Sequence, residues 1–230
     1  MESHNLKHLA IIPDGNRRWA REHGLPTLEG HRKGFEAAHK LVKYARTVGI
    51  HTLTLWAFST ENWERTKEEV GYLMRLYAEM TDKFLDEAKK DKVRIIHLGR
   101  KDRISGYLLK KVENAERETA TFDKNILNIA FDYGGRDEIL RTIKKISARS
   151  GSASGRNDEL TEQQFENFLD TAGQPYPNPD LIIRTSGEMR ISGLMIWQAA
   201  YSELLFINKH FPDMTTDDID SAIAEFSRRK

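Results

Sequence analysis

The sequence predicts a single α/β domain built on a mostly parallel sheet, and three observations lead to it. Short runs rich in Ile, Leu and Val alternate with longer stretches whose apolar residues repeat at helical period, the pattern of strands joined by crossover helices. The chain has 230 residues, enough for one well-filled core. The stretch with linker-like composition, Ser147 to Asp158, is Ser, Gly and Asn rich and reads as a flexible exposed loop inside that domain.

The predicted strands are His8–Ile12, Thr52–Phe58, Val93–Leu98, Leu127–Phe131, Leu181–Arg184 and Leu204–Ile207. The polar start, residues 1–7, is expected to be flexible. Phe35, Ala38, Val42 and Ala45 mark one face of a helix that ends at Gly49, a residue suited to the left-handed cap. A longer helix opens on a capping box, Thr66 with Glu69. It then carries Val70, Leu73, Met74, Tyr77, Phe84 and Leu85 along one stripe. A stripe of about five turns can wall a deep apolar cleft, and ordinary core packing is the alternative.

Composition narrows the function. Formal net charge is +1, from 36 basic and 35 acidic residues, so any anionic partner must be met by a local cluster. There is no cysteine, which excludes disulfides, thiolate metal ligands and a cysteine nucleophile, and makes a cytoplasmic location the expectation. The longest apolar stretch, Gly193 to Ile207, is interrupted by Gln198, Ser202 and Glu203 and falls short of the ~20 residues of a spanning helix.

Three segments carry chemistry. After the first strand come Asp14, Gly15 and Asn16 and a helix start with Arg17 and Arg18. In parallel α/β sheets ligands sit beyond the strands' carboxyl ends, and free N–H groups there accept phosphate. Asp14, a lone anion among cations, suits a bridging Mg²⁺; a plain turn with two solvated arginines is the alternative. After the second strand, Ser59, Glu61 and Asn62 cluster with Trp63 and Arg65, either as a site wall or as a loop with Trp63 plugging the core. The third segment delivers Arg184 to a strand end, with Arg190 and Ser192 in the following loop, and reads as a second, independent phosphate site. Beyond it Glu203 lies in an apolar segment and needs a cation, an arginine or a metal. Asp217, Asp218 and Asp220 open a helix and most simply complement its dipole. Asp132-Tyr-Gly-Gly-Arg136 is a strand-to-helix turn whose glycines could approach a phosphate, though tight turning suffices.

Together these segments resemble the cis-prenyltransferase family. The resemblance rests on Asp14-Gly15-Asn16 with Arg18-Trp19-Ala20, Gly30-His31, Phe58-Ser59 with Glu61-Asn62-Trp63, Asn128-Ile129-Ala130 with Tyr133-Gly134-Gly135-Arg136, Arg184-Thr185 with Gly187-Glu188, Arg190-Ile191-Ser192, and Trp197-Gln198 through Leu204. It implies a parallel sheet with an apolar substrate tunnel, Mg²⁺ as cofactor, and a homodimer with peripheral membrane contact through its lipid product. Isopentenyl diphosphate and an allylic diphosphate, farnesyl or geranyl, are the implied substrates, and nucleic acid is not a partner. Residue by residue, it implies Asp14 as the metal-binding Asp and Glu203 as a second Mg²⁺ contact. Gly15, Asn16, the backbone at Arg17, Arg18 and His31 would cradle the allylic diphosphate, with Trp19 as a further substrate contact. Asn62 would accept or relay the lost proton, beside Ser59, Thr60, Glu61, Trp63 and Arg65, and Arg184, Arg190, Ile191 and Ser192 would bind isopentenyl diphosphate. Two departures stand out: Arg17 where the family usually has Gly, and Thr27 where many bacterial members have Arg. An all-α prenyltransferase with paired aspartate-rich helices, a non-catalytic partner subunit and an RNA-binding module are the rival classes, and the strand signals, the presence of Asp14 and Asn62, and the balanced charge oppose them in turn.

Overall fold

The structure, a computed structural model, describes residues 4–150 and 160–229. Its order is β1 (His8–Ile12), α1 (Asn16–Glu22), α2 (Thr27–Thr47), β2 (Thr52–Ser59), α3 (Lys67–Asp91), β3 (Val93–Leu98), α4 (Gly106–Thr119), β4 (Asn125–Tyr133), α5 (Gly135–Ser150), α6 (Glu162–Glu166), β5 (Leu181–Arg184), β6 (Glu203–Phe206) and α7 (Thr216–Arg229), with 3-10 turns at Thr60–Glu64 and Phe211–Asp213. The strands form one six-stranded sheet in the order β3-β4-β2-β1-β5-β6, and every pairing is parallel.

That order places the switch point at β1. From β1 the chain passes to one side for β2, the edge strand β3 and then β4 between them, and returns to β1's other side for β5 and β6. A crevice opens at such a point, beyond the carboxyl ends of the strands. Ile12 is in register with Arg184, so the residues that follow β1 are carried to the end of β5. Period-two alternation splits β1 between the two faces. Leu9 and Ile11 join the main core with α2, α3 and α7, whereas Ala10 and Ile12 pack with Trp56, Ile182, Leu194 and Met195.

All six predicted strands are present, with β2 and β4 longer than expected and β6 shifted one residue toward the amino end. Val48 closes α2 and Gly49 follows at φ +92°, the left-handed position expected of it. Thr66 caps α3, its hydroxyl accepting from the Glu69 N–H at 3.2 Å.

Two expectations are corrected. The segment from His4 to Lys7 is anchored: Leu6 is fully buried, and Asp180 accepts from the backbone N–H groups of Lys7 and His8 at 2.8 and 2.9 Å, while Asn5 is exposed. Residues 1–3 lie outside the described residues. Ser147 to Arg149 are helical, because α5 runs on to Ser150, and 151–158 lie outside the described residues. Asp218 and Asp220 pair with Lys209 and Tyr44 and do not converge on a metal. Among the described residues no helix is long and apolar enough to cross a membrane.

Candidate active site

The turn after β1 is built from the backbone up. Gly15 sits at φ +98°, and a Cβ there would lie 1.9 Å from Ser186 Oγ and 2.4 Å from His210 Nδ1, so only glycine fits. Thr185 fastens the turn to β5: its hydroxyl accepts from Asp14 N at 2.8 Å and donates to Asp14 O at 2.7 Å. Gly30 and Gly34 of α2 leave room for Asn16, whose backbone and side-chain oxygens would meet their Cβ atoms at 2.0 and 2.4 Å. Asn16 Oδ1 is buried and has no hydrogen-bond partner among the described residues.

Asp14 is the electrostatic centre. One carboxylate oxygen accepts from Arg184 at 2.8 Å; the other lies 3.2 Å from Arg18 and accepts from Gly15 N at 2.7 Å. Burial opposes ionisation here, but the Arg184 hydrogen bond and the charges of Arg184 and Arg18 outweigh it and hold the Asp14 pKa below its ordinary value. Arg184 is itself buried, and its other nitrogen donates to Arg190 O and Ser192 Oγ, both at 2.6 Å. The two cationic segments, expected to be independent of each other, therefore meet at a shared carboxylate.

A second carboxylate, Glu69 in the first turn of α3, organises the opposite wall. It accepts from Arg65 at 2.8 Å and from His31 at 3.1 Å, with Arg17 at 3.9 Å. Burial lowers the His31 pKa, so the imidazole is neutral at pH 7 and donates to Glu69 as a hydrogen-bond partner. Between these walls lies a cavity of about 260 Å³. Asp14, Asn16, His31, Ser59, Asn62, Arg65, Arg184 and Ser192 line its polar end. Phe35, Ala38, Leu55, Leu73, Leu76, Tyr77 and Met80, from α2, α3 and β2, line its apolar end. An adjoining hollow carries Gly15, Arg17, Arg18 and Arg21.

The remaining expected residues are placed elsewhere. Trp19 is buried and donates to Asp213 at 2.7 Å, so it holds α1 down and does not line the cavity. Trp63 donates to Asp132 at 2.8 Å and is a plug under the 3-10 turn. Thr60 and Glu61 bond to each other at 3.0 Å, and Ile191 packs against the second core cluster; none of the three lines the cavity. Arg190 reaches the site through its carbonyl and through Glu188. Glu203 opens β6 opposite Leu181, at the amino end of the sheet, and pairs with Arg229 at 3.1 Å. Within one chain it does not meet Asp14, because parallel register puts the length of β5 between them. Among the described residues no three His, Asp or Glu side chains converge as a metal cage.

Sequence reasoning gave Glu69 only a capping role and assigned nothing to Glu188, which bridges Arg18 and Arg190. It also missed Asp132, fully buried at φ +50°, whose carboxylate takes both the Trp63 N–H and the Arg103 guanidinium. A left-handed non-glycine residue beside a bulge in the β2–β4 pairing is where such strain is found at functional sites.

Arginines paired with Asp14, Glu69 and Glu188 thus surround the mouth of a cavity that is polar at one end and apolar at the other, at the switch point of a parallel sheet, the place of an α/β enzyme's site. Residues 12–230 match the family model described as "Putative undecaprenyl diphosphate synthase", and the chain belongs to this family. It is 46% identical over 224 residues to an isoprenyl transferase of Thermotoga maritima, covering 97% of this chain and 94% of that one. It is 44% identical to an isoprenyl transferase of Aquifex pyrophilus over the same shares. Among solved structures, a lavandulyl diphosphate synthase from Lavandula x intermedia in complex with dimethylallyl diphosphate superposes with a TM-score of 0.94 at 34% identity, covering 98% of this chain and 96% of that one. The chain is a prenyl transferase that acts in prenyl chain elongation.

Proposed function

We propose that the chain condenses isopentenyl diphosphate onto an allylic diphosphate, farnesyl or geranyl, and makes each new double bond cis to give a polyprenyl diphosphate. The observation that carries this reading is Asp14 held between Arg18 and Arg184 at the mouth of the apolar cavity. Two cationic groups joined at one carboxylate suit two diphosphates held as neighbours, and the cavity suits one hydrocarbon tail. The allylic carbon–oxygen bond breaks with its electron pair leaving on diphosphate. The isopentenyl π pair forms the new carbon–carbon bond, and the proton lost from that unit passes by way of Asn62 to the departing diphosphate.

Arg18, His31 and Arg65 hold the allylic diphosphate, and Arg184 with Ser192 and Arg190 holds the other. Charge growing on the departing group meets donors already in position. Asn62 is held for that relay at the cavity wall, its Oδ1 accepting from Ser59 N at 3.1 Å. Mg²⁺ fits this donor set through Asp14, since that ion is commonly held by one or two carboxylates plus substrate phosphates. Bound there, it would supply Lewis-acid stabilisation of the departing diphosphate. Met189 and Tyr201, 77% and 98% exposed, and Leu204 on edge strand β6 support a homodimer through that edge. Peripheral membrane contact goes with the lipid product. Purified chain supplied with labelled isopentenyl diphosphate, Mg²⁺ and either primer should yield polyprenyl diphosphates, with cis double bonds by NMR. An all-trans product, or none with either primer, refutes the reading.

A further inference from the structure

Five residues close a circuit through the mouth of the site. Arg184 meets Asp14 at 2.8 Å, and Asp14 meets Arg18 at 3.2 Å. Arg18 meets Glu188 at 3.1 Å, Glu188 meets Arg190 at 2.5 Å, and the Arg190 carbonyl accepts from Arg184 at 2.6 Å. Asp14 is the junction already described. Glu188 is different, because it lies outside the cavity wall and touches one guanidinium from each group.

Its position is built by the backbone. Ser186 and Gly187 both stand at φ +70°, and their N–H groups donate to Lys209 O at 2.8 Å and Ile207 O at 3.0 Å. That left-handed turn folds the loop after β5 back, so that the two oxygens of Glu188 face Arg18 and Arg190 separately.

We propose that Glu188 couples the two diphosphate subsites, an inference that rests on the two-substrate reading above. Its carboxylate occupies donors that both diphosphates need, and one rotation of one side chain releases both arginines. The first diphosphate to bind bears that displacement and the second does not, so each favours the other. These ion pairs are partly exposed, so the coupling belongs at the low end of the usual range.

The test is a calorimetric titration of the full chain with Mg²⁺, using isopentenyl diphosphate and a non-ionising thio analogue of the allylic diphosphate so that no turnover occurs. In the wild type the analogue's Kd should be lower with isopentenyl diphosphate saturating than without it. In Glu188→Gln, an isosteric change in a partly exposed loop, each ligand alone should bind more tightly and the ratio of the two Kd values should fall by about fivefold. Repulsion between the ligands is common to both proteins and cancels in that comparison. An equal ratio in wild type and variant overturns the coupling role while leaving the two-substrate site standing. Failure of the wild type to bind either ligand overturns the two-substrate reading and the coupling with it.

Discussion

Arg184 and Asp14 are 170 residues apart in sequence and 2.8 Å apart in space. The pairing follows from sheet register: Ile12 opposite Arg184 sets the turn after β1 beside the guanidinium. The only carboxylate among the described residues lining the cavity thus also neutralises a buried cation, and its two roles can be separated.

Asp14→Asn keeps an oxygen for Arg184 and loses the charge. Its amide N–H groups must then face Gly15 N and Arg18, so it should melt below the wild type but above Asp14→Ala, and lose at least ~10³-fold in kcat, because the missing charge and metal contact act on the departing diphosphate. Asp14→Ala should lose the same activity and also about 1–3 kcal/mol of stability, since a buried guanidinium loses an acceptor. Thermal melts with steady-state rates check both; near-normal Mg²⁺-dependent turnover in Asp14→Asn would remove Asp14 from the chemistry.

Much of this site was readable because its residues flank strands. An apolar run followed by Asp, Gly and Asn, or ending in Arg, announces a carboxyl end, and the parallel fold brings such ends together. Counterions were not readable. Glu188 finds Arg18 only through the β1–β5 pairing, and Asp132 finds Trp63 and Arg103 only through the bulge opposite β2. Glu203 shows the same limit from the other side. A carboxylate in an apolar segment does require a cation, but local sequence does not say whether it is a metal or, as here, Arg229 arriving from α7. Trp19 matched a motif, yet motif membership does not distinguish a residue that touches substrate from one that packs beneath it.

Two buried histidines should weaken the fold in acid. Burial lowers His8, on β1, to a pKa of about 4, and His97, on β3, likewise to about 4. Unfolded, each returns to the ordinary value of 6.5. Between those values the unfolded chain binds protons that the folded chain refuses, so stability is full above pH ~6.5 and falls as pH drops toward 4. Each site contributes up to roughly 3 kcal/mol across that window. Urea midpoints measured from pH 8 to pH 4 should fall accordingly, and His97→Gln should flatten the slope. An unchanged slope in that variant would show that other groups govern the acid side.

The apolar cavity ends at Tyr77 and Met80, and behind them lies a separate apolar space of about 30 Å³ walled by α3, α4, β3 and β4. Tyr77 belongs to both. Its ring packs edge-on against Phe131 at 4.8 Å, and its hydroxyl donates to the Ala57 carbonyl beside the β2 bulge. That bond fixes the ring across the junction of the two spaces, and on the proposed function a growing chain should stop against it. The rest of the helix divides by depth: Leu73, from the stripe, and Leu76, which the stripe did not include, face the cavity, while Phe84 packs beyond its end. A large residue at Leu73 or Leu76 should therefore shorten the product, whereas Tyr77→Leu should join the two spaces and lengthen it. Tyr77→Ala would do the same but at about 3–5 kcal/mol of lost packing, which makes Leu the better substitution. Tyr77→Phe separates volume from hydrogen bonding, and by this account it shifts the product distribution less than Leu does. Chromatography of labelled products from the four variants gives the answer. Products of one length throughout would return this helix to core packing and place the limit on chain length elsewhere.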